Sequence, residues 1–256
     1  MFLQDKEYIM GKYKLVALDM DGTVLNEDQI ISEANREAIA AAINVGVTVM
    51  FSTGRGIHSA KPFIDELQLQ SPIVTLNGGE VWSAPDNLFK RHLMEAKWIQ
   101  QMHAMAVEQD SWFWAYAIEG VYNRDNWPGE IDAIDWLKFG FYTENIEKLA
   151  YIRKELEAWG VFEITNSHPF NLELNPIGIS KASGMIDICG LLGIEMSEVI
   201  AMGDSLNDLA MIRAAGLGVA MGNAQDELKQ AADLVTASNT EDGVARIIKQ
   251  YVLNQL

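Results

Sequence analysis

Short runs of consecutive apolar residues recur at both ends of the chain, each closed by a polar turn rich in Asp, Gly or Ser. Residues 15–18, 47–51 and 72–76 read as strands with helical segments between them, and residues 199–202, 217–221 and 234–236 repeat the pattern near the carboxyl end. Strands that are apolar throughout, rather than alternating, are those covered on both faces, so a parallel sheet flanked by helices is expected. Between the first two strands, Ser32 is placed to cap a helix over residues 32–44. Ala34, Ala38, Ile39, Ala42 and Ile43 are spaced to bury one face of that helix, and Gly46 ends it.

The grammar changes between about residues 82 and 180. Alternating aromatic strands such as residues 112–116 appear there, with long amphipathic segments at 95–109 and 144–160. All seven tryptophans (Trp82, Trp98, Trp112, Trp114, Trp127, Trp136, Trp159) fall inside this stretch, which supports a compositional boundary. The expected architecture is α/β: a doubly wound, Rossmann-like parallel core built from residues 1–81 and 181–256, with an α+β domain inserted over 82–180. Residues 1–11 read as a loose polar leader. Most of the tryptophan rings are expected to pack faces of sheet and helix, with one or two lining a pocket.

Composition narrows the function. With 49% hydrophobic and 21% charged residues, a core can be buried and global disorder is excluded. The 36 acidic against 19 basic residues give a formal charge of −17, a poor field for nucleic acid or an anionic membrane. The same field repels a small phosphate ester unless a metal and local cations offset it. Cys189 is the single cysteine, so no intramolecular disulfide or thiolate cluster can form, and a cytoplasmic setting is expected. No apolar run reaches the ~18 residues a membrane span requires, and no secretory signal opens the chain.

Three strand ends carry chemistry. The first strand runs into Asp19-Met20-Asp21-Gly22-Thr23, which sets two carboxylates at the carboxyl edge of a parallel sheet, where such folds place ligands. Carboxylates this close repel unless a cation lies between them, and a hard ion with oxygen ligands, Mg²⁺, is the simplest resolution. The second strand ends in Ser52-Thr53-Gly54-Arg55, a hydroxyl and a glycine able to donate to an anion. A strand of the second group ends in Gly203-Asp204-Ser205-Leu206-Asn207-Asp208. Each motif alone is also a common turn or cap. Their convergence on one rim of one sheet is the signal.

Taken in order, DMDGT, Thr53, Lys181 in GISKASGM, and GDSLND make the chain resemble the haloacid dehalogenase-like phosphohydrolases, specifically the Cof-type group with a large cap inserted after the third core strand. The resemblance spans about residues 14–253. It implies a phosphatase acting on small phosphate monoesters, sugar phosphates or cofactor phosphates, through an aspartyl-phosphate. Asp19 would be the nucleophile and Asp21 the acid and base. Asp19, Asp204 and the backbone carbonyl of Asp21 would hold Mg²⁺. The Met20 and Gly54 amides, Thr53, Lys181 and Asn207 would hold phosphate oxygens. Asp208 would support, positioning Lys181 or a metal-bound water, and Arg55 would touch substrate or pair with an acid. Asn77-Gly78-Gly79 and residues 176–180 are candidate hinges.

A phosphomutase or phosphotransferase, and a non-catalytic phospho-acceptor switch, remain alternatives. The insert shows no conspicuous basic cluster, of the kind a bisphosphate intermediate requires, beyond the adjacent pairs Lys90-Arg91 and Arg153-Lys154, and Asp21 beside Asp19 favours turnover. The glycines of residues 216–222 have GxGxxxG spacing and span a strand, which excludes a dinucleotide fingerprint. The four histidines (His58, His92, His103, His168) lack the spacing of a zinc site.

Overall fold

A computed structural model describes residues 11–255. Of the expected polar leader, residues 1–10 therefore lie outside the described residues. The first half of the core comprises β1 (Leu15–Leu18), α1 (Glu33–Asn44), β2 (Thr48–Phe51), α2 (Ile57–Glu66) and β3 (Ile73–Thr75). Ser32 caps α1 by accepting the Asn35 amide, and every residue of β1 is buried, as a strand covered on both faces must be.

The chain then forms a hairpin, β4 (Glu80–Ala84) and β5 (Asn87–Arg91), which extends β3 in an antiparallel sheet. Val81 lies in the same hydrophobic cluster as β1 and β2, and Trp82 packs against it. The boundary expected at residue 82 thus falls inside a hairpin, and Trp82 packs with the core. Its indole donates to Thr75 Oγ1 on the neighbouring strand (3.2 Å), which ties it there.

A second cluster follows, built on a five-stranded antiparallel sheet. Its elements are α3 (Ala96–Glu108), β6 (Trp112–Ala117), β7 (Gly120–Asn123), β8 (Trp136–Tyr142), α4 (Ile146–Trp159), β9 (Phe162–Thr165) and β10 (Asn171–Pro176), with the strands ordered β7-β6-β8-β10-β9. Phe113, Ala115, Phe139, Phe141, Leu172 and Leu174 bury one sheet face together with Ile99, Met102 and Ile152 of the two helices. The alternate residues, among them Trp114, Tyr116, Lys138 and Glu173, lie on the other face, toward the core. This is the α+β cap.

The chain re-enters the core through α5 (Lys181–Leu192), β11 (Val199–Gly203), α6 (Leu209–Ala214), β12 (Leu217–Ala220), α7 (Asp226–Ala231), β13 (Leu234–Val235) and α8 (Gly243–Tyr251). The central sheet is parallel throughout, ordered β13-β12-β11-β1-β2, and a parallel bridge between Ser52 and Val74 brings β3 alongside β2. Strand order reverses at β1, which pairs β2 on one side and β11 on the other, and the carboxyl end of such a switch point is where doubly wound sheets open a crevice. No helix among the described residues is long and apolar enough to cross a membrane.

Candidate active site

The switch point puts the first motif between the other two. Asp19, one residue past β1, is buried, and its Oδ1 accepts a hydrogen bond from Lys181 Nζ at 2.6 Å. Lys181 opens α5 behind a Ser180 capping box and is wholly buried, with a second bond to Asp208 Oδ1, also 2.6 Å. The other Asp208 oxygen accepts the amides of Asp204 and Ser205, which folds the turn after β11 around it. Burial alone would lower the Lys181 pKa, but the carboxylates of Asp19 and Asp208 overcome it and raise it.

Burial pushes Asp19 upward, opposed by the Lys181 charge and reinforced by Asp208 and Asp204. Asp204 is pushed up to about 7, by burial first and then by Asp208. Asp19, Asp204 and Asp208 present carboxylate oxygens within 4.8 Å of one another, the one such group among the described residues. Two of these carboxylates, Asp19 and Asp208, share the Lys181 ammonium, while Asp204 Oδ1 is buried with no partner. Excess negative charge, hard oxygen donors and an orphaned oxygen fit a divalent cation held between Asp19 and Asp204. Gly22 makes room for this approach: it sits at φ +76°, and a β-carbon there would meet Asp204 Oδ2 at 2.5 Å.

Asp21 stands apart from that cluster, half exposed at the side of the cavity. Arg55 grips both its oxygens, Nε to Oδ2 at 2.7 Å and a terminal nitrogen to Oδ1 at 2.5 Å, and Gln29 bonds to both residues. Burial would raise the Asp21 pKa, but these bonds and the Arg55 charge bring it below the usual carboxylate range. Of the two roles open to Arg55 in the sequence, pairing with an acid is the one observed. Thr53 is buried, and its Oγ1 accepts the Arg55 amide at 3.1 Å. The Met20 side chain enters the core while its carbonyl accepts the Thr23 and Leu25 amides, turning the chain after Asp19. Asn207 donates from Nδ2 to Asn77 Oδ1 at 3.3 Å, and its own Oδ1 is unpartnered.

Asp19, Asp21, Gly54, Asp204 and Asn207 line a cavity of about 270 Å³ whose other wall is the cap. Thr53, Lys181 and Asp208 are buried against these residues. A larger cavity of about 570 Å³ opens at the opposite edge of the sheet, near Lys14, Val47 and Tyr251, and holds none of the motif residues.

Sequence reasoning missed the cap wall. Lys138 and Glu173 form a buried ion pair at 2.7 Å. Lys138 also donates to the Gly54 carbonyl at 3.1 Å, while Glu173 accepts from Asn77 (2.6 Å) and Ser167 (2.8 Å). Burial lowers the Lys138 pKa against the pull of Glu173. Burial would raise Glu173, but Lys138 and these donors bring it down. Asn77, expected as a hinge, takes the left-handed conformation at φ 56° and joins the core to this pair. The available signal was a charge between apolar neighbours in each of two strands, WLKFGFY and NLELNP. The histidines form no metal group among the described residues: His103 stacks on Trp127, and His168 accepts the Phe170 amide.

Comparison with known proteins identifies the family. The family of haloacid dehalogenase-like hydrolases matches residues 16–135 and 123–248. A 5-amino-6-(5-phospho-D-ribitylamino)uracil phosphatase, YcsE of Bacillus subtilis (strain 168), is 45% identical over 240 residues, 94% of this chain and 96% of the relative. A second phosphatase of that name from the same organism, YitU, is 31% identical over 93% of this chain and 97% of its own. The solved structure of a haloacid dehalogenase-like hydrolase from B. subtilis superposes with a TM-score of 0.85 at 25% identity, covering 92% of this chain and 99% of that one. Matches of this extent, at this identity, mean that the chain belongs to the haloacid dehalogenase-like hydrolase family.

Proposed function

We propose that this phosphatase hydrolyses small phosphate monoesters in two steps, with Asp19 as nucleophile, Asp21 as acid and base, and Mg²⁺ held by Asp19, Asp204 and the backbone carbonyl of Asp21. The observation that carries the proposal is the floor of the 270 Å³ cavity: a buried carboxylate fixed at 2.6 Å by a buried ammonium, with a second acid, Asp21, free of that cluster. In the first step an Asp19 oxygen bonds to phosphorus as the ester P–O bond breaks, and Asp21, protonated once substrate binding loosens the Arg55 grip, gives that proton to the departing alcohol oxygen. In the second, water attacks phosphorus, Asp21 takes its proton, and the bond to Asp19 breaks to return the carboxylate and inorganic phosphate.

Lys181, Asn207, the Thr53 hydroxyl and the amides of Met20 and Gly54 hold the phosphoryl oxygens as charge builds on them. Mg²⁺, when bound, supplies the positive charge that lets an anionic nucleophile meet an anionic ester. Asp208 positions Lys181. The cap closes over the reacting atoms and excludes bulk water, which suits a small ester. Among such esters, the phosphorylated ribitylamino-pyrimidine named for the 45%-identical relative is the proposed substrate. Cys189, free and buried, accords with a reducing, cytoplasmic setting.

The test is phosphate release from a panel of small esters, with Mg²⁺ and with a chelator, by the native protein and by Asp19→Asn. Metal-dependent release abolished by the substitution is expected. Stable labelling of Asp19 by a small phosphodonor without turnover would replace this reading with a phospho-acceptor switch. Transfer to a second hydroxyl of the substrate would make the protein a phosphomutase.

A further inference from the structure

Above the cavity floor, the polar cap groups Lys138, Glu173, Ser167 and Asn171 are already bonded to one another, and the Tyr116 hydroxyl stands beside them. Lys138 and Glu173 bond to each other, Ser167 donates to Glu173, and Asn171 donates to Ser167 (3.0 Å) while accepting the Ser167 and His168 amides. Few of these groups are left to read the hydroxyls of a bare sugar. What the cap offers instead is aromatic. Trp114 of β6 stands directly opposite Gly140 of β8 in the antiparallel register. A β-carbon on Gly140 would meet Trp114 Cζ2 at 2.2 Å and Cε2 at 2.3 Å, so the indole lies across the β8 backbone where any other side chain would displace it.

Covering a strand glycine with an aromatic ring is also a packing device, but packing alone would bury the ring. Trp114 is half-buried and lines the same cavity as Asp19 and Asp21, with Tyr116 beside it. The aromatic surface continues outward along the same sheet face, where Trp112 pairs across from Tyr142 and remains exposed.

Building on the phosphatase reading above, we propose that Trp114, laid across Gly140, is a stacking platform for a planar heteroaromatic ring in the alcohol part of the substrate. The platform selects ring-bearing esters over bare sugar and polyol phosphates. Stacking of this kind gives about a ten- to hundredfold preference.

The experiment compares two esters that share one phosphorylated chain, 5-amino-6-(5-phospho-D-ribitylamino)uracil and ribitol 5-phosphate. The native protein is expected to favour the first in kcat/KM by tenfold or more. In Trp114→Ala that ratio falls toward one through a raised KM for the ring-bearing ester, and Trp114→Phe restores most of it. Gly140→Ala, which keeps the indole but pushes it out of place, lowers the ratio as well and serves if Trp114→Ala fails to fold by circular dichroism. A native ratio near one, or a ratio unchanged in both Trp114→Ala and Gly140→Ala, overturns the platform. Release from neither ester by the native protein overturns the substrate assigned above instead. The platform is then judged by calorimetric titration with 5-amino-6-(D-ribitylamino)uracil: tighter binding to native than to Trp114→Ala protein supports it, and equal binding sinks it.

Discussion

Both walls of the cavity bury a lysine against a carboxylate, and the two pairs are opposite in kind. In the core, Lys181 pairs with Asp19 and Asp208 while a third acid, Asp204, lies close by with one oxygen lacking a partner. In the cap, Lys138 answers Glu173 one to one, and the remaining Glu173 bonds come from Asn77 and Ser167. The core cluster is electrostatically incomplete, which fits the cation and the phosphate proposed for it. The cap pair is complete and holds structure, its lysine steadying the Gly54 carbonyl from above. Burial of charge therefore marks chemistry in one wall and architecture in the other.

Breaking each pair separates these roles. Lys181→Met removes the charge proposed to face the reacting phosphoryl group, and kcat is expected to fall ~10²–10³-fold in steady-state assays on any ester the native protein hydrolyses. A loss under tenfold would reduce Lys181 to packing. Glu173→Leu leaves Lys138 buried and unpaired, and urea unfolding should show a loss of about 3–5 kcal/mol. The double variant Lys138→Met with Glu173→Leu is expected to regain most of that stability, as a complete structural pair permits and an incomplete cluster would not.

The next effect is smaller and depends on pH. The Glu173 pKa is lower in the folded protein than its ordinary 4.5, so its contribution is present above that value and lost as pH falls through the folded pKa. Glu173→Gln should flatten the acid limb of a stability profile, and an unchanged limb would deny the pair its structural part. Smallest is the effect of Arg55→Met on Asp21, whose carboxyl pKa is expected to rise when the guanidinium is removed. An NMR titration of the Asp21 carboxyl reads this directly, and a downward shift would contradict the grip described.

The core was legible because its chemistry is local. Asp19, Thr53 and Asp204 each lie within two residues of a strand that an apolar run announces, and a parallel sheet delivers such ends to one rim. The cap wall was illegible for a physical reason. Alternation in NLELNP places Glu173 opposite Leu172 and Leu174, which in an isolated sheet means solvent, and only docking of the core over that face buries it. Its partner Lys138 is on another strand, brought near by the pairing of β8 with β10. Trp82 was misplaced similarly: composition joined it to the other tryptophans, while backbone pairing of β4 with β3 holds it on the core.

The position of β1 has a consequence for how the protein comes into being on the ribosome. Its two neighbours are β2, some thirty residues on, and β11, whose Val199 pairs with Leu15. When β1 emerges, one of its edges has no mate until nearly the whole chain has been made, and closing so long a loop is entropically costly and slow. The antiparallel cap, whose pairings are all made within residues 112–176, can condense in the interval and shorten the path that β11 must search. The insertion proposed to shape substrate choice in the finished enzyme would then be, during synthesis, the bridge that lets the two halves of its core find each other.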